Sequence, residues 1–177
     1  MPLETLNYIV ALGTLALQFA TVALLVAYLL RKQYPMFADV IRPIGAWGIQ
    51  IAFLAAFAAS TFALVHSMVY GLPPCPLCWW QRALMFPQVI LFAVALIRRE
   101  STIAIYSIAL SAVGLCIAIY HHALQMFPSG SLPCPTEGTV SCAQILFLEF
   151  GYITYPLMAG TLFAFIIVVM LLVRARD

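Results

Sequence analysis

PCPLCWWQRALMFPQVILFAVALIRR, residues 74–99, sets an apolar run between a pair of cysteines and a pair of arginines. From position 79 to position 97 its one charged residue is Arg82. At about 1.5 Å per residue such a run covers a hydrocarbon core of about 30 Å, the signature of a transmembrane helix. Four other stretches read the same way, at about 7–30, 44–70, 103–125 and 152–173. The composition agrees. Hydrophobic residues make up 65% of the 177 positions and charged residues 8%, against roughly 45–50% and about 25% in soluble proteins. An ordinary soluble domain is excluded, and an all-α integral membrane protein with five spans is expected. No nucleic-acid partner is expected.

The first span follows a single charge, Glu4. It lacks a basic leader and is longer than the apolar part of a signal peptide, so it reads as a retained helix. Orientation comes from the basic residues, which stay on the cytoplasmic side. Arg31, Lys32 and Arg42 follow span one, Arg98 and Arg99 follow span three, and Arg174 and Arg176 follow span five. An odd number of spans puts all three clusters on one side, leaving Arg82 alone on the other. The expected topology has the N-terminus outside, the C-terminus in the cytoplasm, and two short outer loops.

Four of the five cysteines then fall outside the cytoplasm, where disulfides persist. Cys75 and Cys78 stand at the start of span three, and Cys134 and Cys142 lie in the loop before span five. Cys116, inside span four, is expected to be a small buried packing residue. Three readings compete for the quartet. Two structural disulfides could brace the loops, although these are short and already tethered, so a staple removes little chain entropy. Zinc could take four thiolates, although the second pair lacks the usual ligand spacing. Covalent haem needs a histidine after the second cysteine, and Trp79 occupies that place. Thiol–disulfide exchange between the pairs is the third reading, and the surroundings of Cys78 favour it. A helix N-terminus stabilises an anion there, and Arg82 lies one turn deeper on the same face.

An exchanger that oxidises partners must itself be reoxidised. Cytoplasmic segments hold no cysteine, so a thiol ladder through the membrane has no rungs. A lipid-soluble quinone near Cys78 would serve instead. Arg82 is a candidate donor to its carbonyls, as are His121 and His122 near the outer end of span four. These two histidines point about 100° apart on a helix, so one of them faces the bundle. Trp79 and Trp80 suit an aromatic belt at the interface, with stacking beside a quinone as the alternative. Pro87 kinks or loosens its helix. PSGSLPCPT (128–136) is poor in helix formers and has prolines on both sides of Cys134. It suits an extended docking strand for a partner. The first part of AQILFLEFGYITYP (143–156) suits the membrane surface.

CxLCWWQR opening a transmembrane helix (75–82), IYHHALQMFP ending the next (119–128), a two-cysteine outer loop and GYITYP (151–156) at the start of the last span together resemble the disulfide bond formation protein B family. The likeness covers about 44–177 and is nearest to its BdbC-like branch, whose motif is CxLCWYQR. The resemblance implies a four-helix transmembrane bundle in the bacterial cytoplasmic membrane, here with one extra N-terminal transmembrane helix. Residues 1–43 would be that addition and its loop, and 44–177 the thiol–quinone oxidoreductase unit. It further implies that electrons pass from an extracytoplasmic thioredoxin-fold thiol oxidase to ubiquinone or menaquinone, with no metal required. Carried onto matching positions, Cys134 meets the partner, Cys142 is its disulfide mate and exchanges with Cys75, and Cys78 is the thiolate beside the quinone. Arg82 matches the family's quinone-site arginine. A family histidine matches His121 or His122, and the local alignment favours His122. The rival class is a non-enzymatic membrane scaffold braced by two disulfides.

Overall fold

The computed structural model describes residues 2–127 and 140–175. Its elements are α1 (Leu3–Leu30), α2 (Pro35–Ala46), α3 (Gly48–Met68), α4 (Pro76–Arg98), α5 (Ile103–Met126) and α6 (Tyr155–Arg174). Among the described residues, only an isolated antiparallel bridge between Glu149 and Ile153 stands for β-structure. Five helices, all but α2, are long and apolar enough to cross a membrane. The all-α membrane fold read from the sequence is the fold observed. Proline opens α2, α4 and α6 within their first two positions, where its missing N–H leaves no helical bond unmade.

One expected span is divided. The stretch 44–70 was expected as a single helix, but α2 ends at Ala46 and α3 begins at Gly48, with Trp47 between them at φ −101°, ψ 10°. Residues 35–43, expected as loop, form most of α2 because Phe37, Ile41 and Gly45 repeat every four residues and turn inward together. The junction presses on the end of α6. A Cβ on Gly45 would stand 2.8 Å from the Leu172 carbonyl oxygen, and one on Gly48 would collide with Val173.

Helices α3 to α6 form a ring in which each packs on the next and α6 closes back on α3, while α1 packs against α6. This is a four-helix bundle with one added spanning helix. Lipid offers no hydrophobic drive between helices, so close packing and hydrogen bonds must hold them. The chain supplies both. Gly48, Ala52, Ala56 and Ser60 give α3 a buried stripe of small residues at four-residue spacing. Between α4 and α5, Ser107 and Ser111 donate to the Gln88 Oε1 at 2.6 and 3.2 Å, and the Gln88 Nε2 donates to the Leu84 carbonyl. α6 is the central helix, buried over most of its circumference from Gly160 to Val173.

A tight seam lies between α5 and α6, where the Phe163 ring fills the space beside Gly114. A Cβ there would stand 2.5 Å from the Phe163 Cζ. Gly114→Ala is therefore expected to destabilise the fold by about 1–3 kcal/mol, the usual cost of overpacking. The readout is a lower melting temperature in detergent. An unchanged melting temperature would mean that the ring can move aside.

The starts of α1, α4 and α6 and the ends of α3 and α5 gather at one end of the bundle. There Asn7 meets His66 and Tyr155, and Cys75 meets His121. Residues 143–154 run over this end as irregular chain. Ile145, Leu146 and Leu148 are exposed, while Phe147 and Ile153 turn in against Ala11 of α1. Cys116 is exposed on the outer face of α5, which corrects the expectation that it is buried. Gly114 and Ala118 take the inward positions on that helix.

Candidate functional site

Cys75 owes its place to Pro76, because a residue before proline is driven out of the helical region. Its backbone is extended (φ −69°, ψ 166°), and it becomes the N-cap of α4. Its Sγ accepts the Cys78 N–H at 3.3 Å. Three residues on, Cys78 is one turn inside the helix on the same side. The two sulfurs stand 2.7 Å apart. The bond that Cys75 makes to Cys78, with burial second, pushes the Cys75 thiol up to about 12, so Cys75 keeps its proton.

On one side of this pair lies a buried polar cluster. The ring of His121 is 1% exposed, so every polar atom on it needs a protein partner. Its Nε2 is 3.1 Å from the Cys142 carbonyl oxygen, and its Nδ1 is 3.1 Å from the Gln81 Nε2. A carbonyl can only accept and an amide nitrogen can only donate, so these partners assign the proton to Nε2. The same Nε2–H lies 3.5 Å from the Cys75 Sγ. This one donor is thus shared between the carbonyl and the sulfur. Cys142 is buried, and its Sγ, the Cys75 Sγ and a His121 nitrogen all lie within 4.8 Å of one another. Gln125 donates to the carbonyls of Cys142 and Gln144 at 3.4 and 3.1 Å, holding this strand of the loop against α5. These three donor atoms have the reach to hold a soft metal ion. They also have the reach for sulfur to attack sulfur.

On the other side of Cys78 is a cavity of about 520 Å³ between α1, α3, α4 and α6. Its walls are mostly apolar, with Gln81, Arg82, His66 and the Cys78 sulfur among the polar exceptions. Arg82 is anchored to α3, with Nη1 donating to the Ser67 Oγ at 3.2 Å and Nη2 to the Ala63 carbonyl at 2.8 Å. This leaves the guanidinium's charge within electrostatic reach of the Cys78 sulfur. Two anchors leave part of a five-donor fork for a ligand. A flat apolar ring carrying carbonyl oxygens fits such a site in size and chemistry, since small-molecule pockets run from about 300 to 1,000 Å³.

The residues singled out from the sequence therefore divide. Cys75, Cys78, Cys142 and His121 come together, and Arg82 shares the cavity with Cys78. His122, favoured for the quinone by the local alignment, does not line this cavity. Its Nδ1 lies 2.9 Å from the Thr154 Oγ1, bracing α5 to the N-cap of α6. Trp79 is exposed on the outer face of α4, its ring 5.6 Å from the Arg82 guanidinium. Neither His121, His122 nor Trp79 lines the cavity. Cys134 and the proposed docking strand lie outside the described residues. Gln81, His66 and Asn7 were missed, although each is a polar residue inside an apolar span, which is itself a signal of function.

The family model for disulfide bond formation protein DsbB matches residues 46–173. A "Probable disulfide formation protein C 2" of Bacillus anthracis is 34% identical over 122 residues, covering 69% of this chain and 86% of its own. The "SPbeta prophage-derived disulfide bond formation protein B" of Bacillus subtilis is 36% identical over 116 residues, or 66% and 78% of the two chains. A "Probable disulfide formation protein" of Oceanobacillus iheyensis is 36% identical over 126 residues, covering 70% and 86%. No solved structure is significantly similar. With a buried thiol cluster at the mouth of its bundle, the chain belongs to the DsbB family of disulfide bond formation proteins, membrane oxidoreductases of disulfide formation.

Proposed function

We propose that the protein reoxidises an extracytoplasmic thioredoxin-fold thiol oxidase and passes the electrons to a membrane quinone, ubiquinone or menaquinone. The observation that carries this reading is the position of Cys78, which lines the cavity while its partner sulfur, Cys75, faces His121 and Cys142. One dithiol thus touches both a protein-facing cluster and a lipid-side pocket. The cysteine end of the bundle faces outside, because seven of the eight basic residues belong to the opposite side.

The proposed steps combine the placement of Cys75, Cys78 and Cys142 with the roles that the family resemblance implies for Cys134 and Cys142. A partner thiolate attacks Cys134 of a Cys134–Cys142 disulfide, and the partner's second thiol resolves the mixed disulfide. The partner leaves oxidised, and Cys134 and Cys142 are left reduced. The Cys142 thiolate then attacks Cys75 of the Cys75–Cys78 disulfide, releasing Cys78 as a thiolate. Cys134 attacks Cys142, restoring the first disulfide and expelling the Cys75 sulfur. His121 Nε2–H stabilises the negative charge that develops there. Arg82 stabilises the Cys78 thiolate, and Gln81 keeps the His121 tautomer fixed. Arg82 would hold a quinone, which when bound would supply the two-electron, two-proton acceptor needed to close the Cys75–Cys78 disulfide again.

Arg82→Ala tests the pocket. Loss of a charge-assisted hydrogen bond, about 1.5–3 kcal/mol, should raise the apparent quinone KM roughly 10- to 150-fold. The rate of mixed-disulfide formation with the partner should change little. The measurement is anaerobic quinone reduction followed by ultraviolet absorbance. A KM that stays at the wild-type value would contradict the assignment of the cavity.

A further inference from the structure

The family match begins at residue 46, so α1 lies outside it, yet α1 forms one wall of the cavity beside Cys78. Ile9, Val10, Gly13, Thr14 and Leu17 line it, spaced as one face of a helix. We propose that α1 is a specificity-determining wall of the acceptor cavity, seated by Asn7 and given room for the acceptor ring by Gly13. The inference rests on the quinone reading above. It makes the unit 44–177 incomplete as a binding site without the first helix.

Two independent features support it. The first is how α1 is seated. An asparagine within an apolar span is costly unless it is bonded, and Asn7 bonds two side chains that themselves line the cavity. Its Oδ1 accepts the Tyr155 hydroxyl at 3.4 Å and lies 3.0 Å from the His66 Nε2. The His66 Nδ1 lies 3.1 Å from the Phe62 carbonyl oxygen. Ala63, His66 and Ser67 share one face of α3, and Ala63 and Ser67 are the two anchors of Arg82. The wall is thus tied to the same strip of α3 that positions the arginine.

The second feature is the space at Gly13. The other helical glycines, Gly45, Gly48, Gly114 and Gly160, are places where a Cβ would press on a neighbouring helix. A Cβ on Gly13 would meet nothing within 4 Å. Helix packing therefore does not require glycine here, and glycine weakens a helix interior relative to alanine. Gly13 is exposed and lines the cavity, and on our proposal its missing side chain is what keeps that volume open. A side chain would project into the volume that the ring needs, and a bicyclic naphthoquinone would lose more than a monocyclic benzoquinone.

The test uses the purified full-length chain in detergent, with short-chain ubiquinone and menaquinone analogues titrated by calorimetry. Gly13→Leu is expected to raise the dissociation constant of the menaquinone analogue at least tenfold, with a smaller rise for the ubiquinone analogue. Gly13→Ala should shift binding in the same direction by less while its melting temperature stays level or rises. A merely structural glycine would not separate stability from affinity in this way. Phe19→Leu, on the exposed face of α1, should leave both constants at wild-type values. Unchanged affinity for both analogues in folded Gly13→Leu and Gly13→Ala overturns the wall and leaves the quinone function standing. No binding of either analogue by the wild type overturns both.

Discussion

Cys78→Ser is expected to end quinone reduction altogether, with the multiple-turnover rate falling to the uncatalysed background. The reason is positional. Among the described residues, Cys78 is the cysteine that lines the cavity, and its sulfur is 2.7 Å from that of Cys75. The variant should still oxidise one equivalent of a reduced partner through its Cys134–Cys142 disulfide, and then stall. A single stoichiometric burst with no quinol is the expected trace, with released partner thiols and quinone absorbance followed together. Continued turnover in Cys78→Ser would mean that electrons leave by another route.

The second large effect is expected at His121, and it separates two roles for that residue. A histidine serving the quinone should raise the quinone KM when it is removed. Here the ring lies on the far side of the cysteine pair, with its Nε2–H directed at the Cys75 Sγ and the Cys142 carbonyl. His121→Ala should therefore slow exchange between Cys142 and Cys75, and with it kcat, by about 100-fold or more, the low end of what a positioned proton donor contributes. The quinone KM should stay near that of the wild type. His121→Gln, which can place an amide N–H near the Nε2 position, should recover part of the rate. A raised KM with normal exchange would assign His121 to the quinone instead.

The membrane fold was legible because it rests on one-dimensional signals. Apolar runs as long as the bilayer is thick, closed by Arg98, Arg99 and Arg174, identify spans without any knowledge of packing. α2 was not legible, because Pro35 and Pro43 read as loop residues. The inward spacing of Phe37, Ile41 and Gly45 matters only once α1 and α6 are there to receive it. The exchange reading of the cysteine pair came from its place at a helix N-terminus with Arg82 one turn on, and the structure sets the two sulfurs 2.7 Å apart. Which of two adjacent histidines faces the sulfurs was not, since it depends on the rotation of α5. That rotation is set by contacts such as Gly114 against Phe163, far from the site. The same holds for Cys116, which shares a helix with buried residues but points outward. The wall made by α1 was the least legible feature. A span outside the familiar motif carries no label saying which neighbours it packs against, and Asn7 and Gln18 were the amides in it whose polarity asked for partners.

The most direct test of the electron path is the anaerobic ratio of quinol formed to partner disulfide formed, measured with purified protein and a large excess of both substrates. One quinol per partner disulfide, sustained over many turnovers, is expected of two cysteine pairs in series with a quinone. Partner oxidation that stops at one equivalent per protein molecule, with no quinol formed, would contradict it and favour a scaffold whose disulfides only brace its loops.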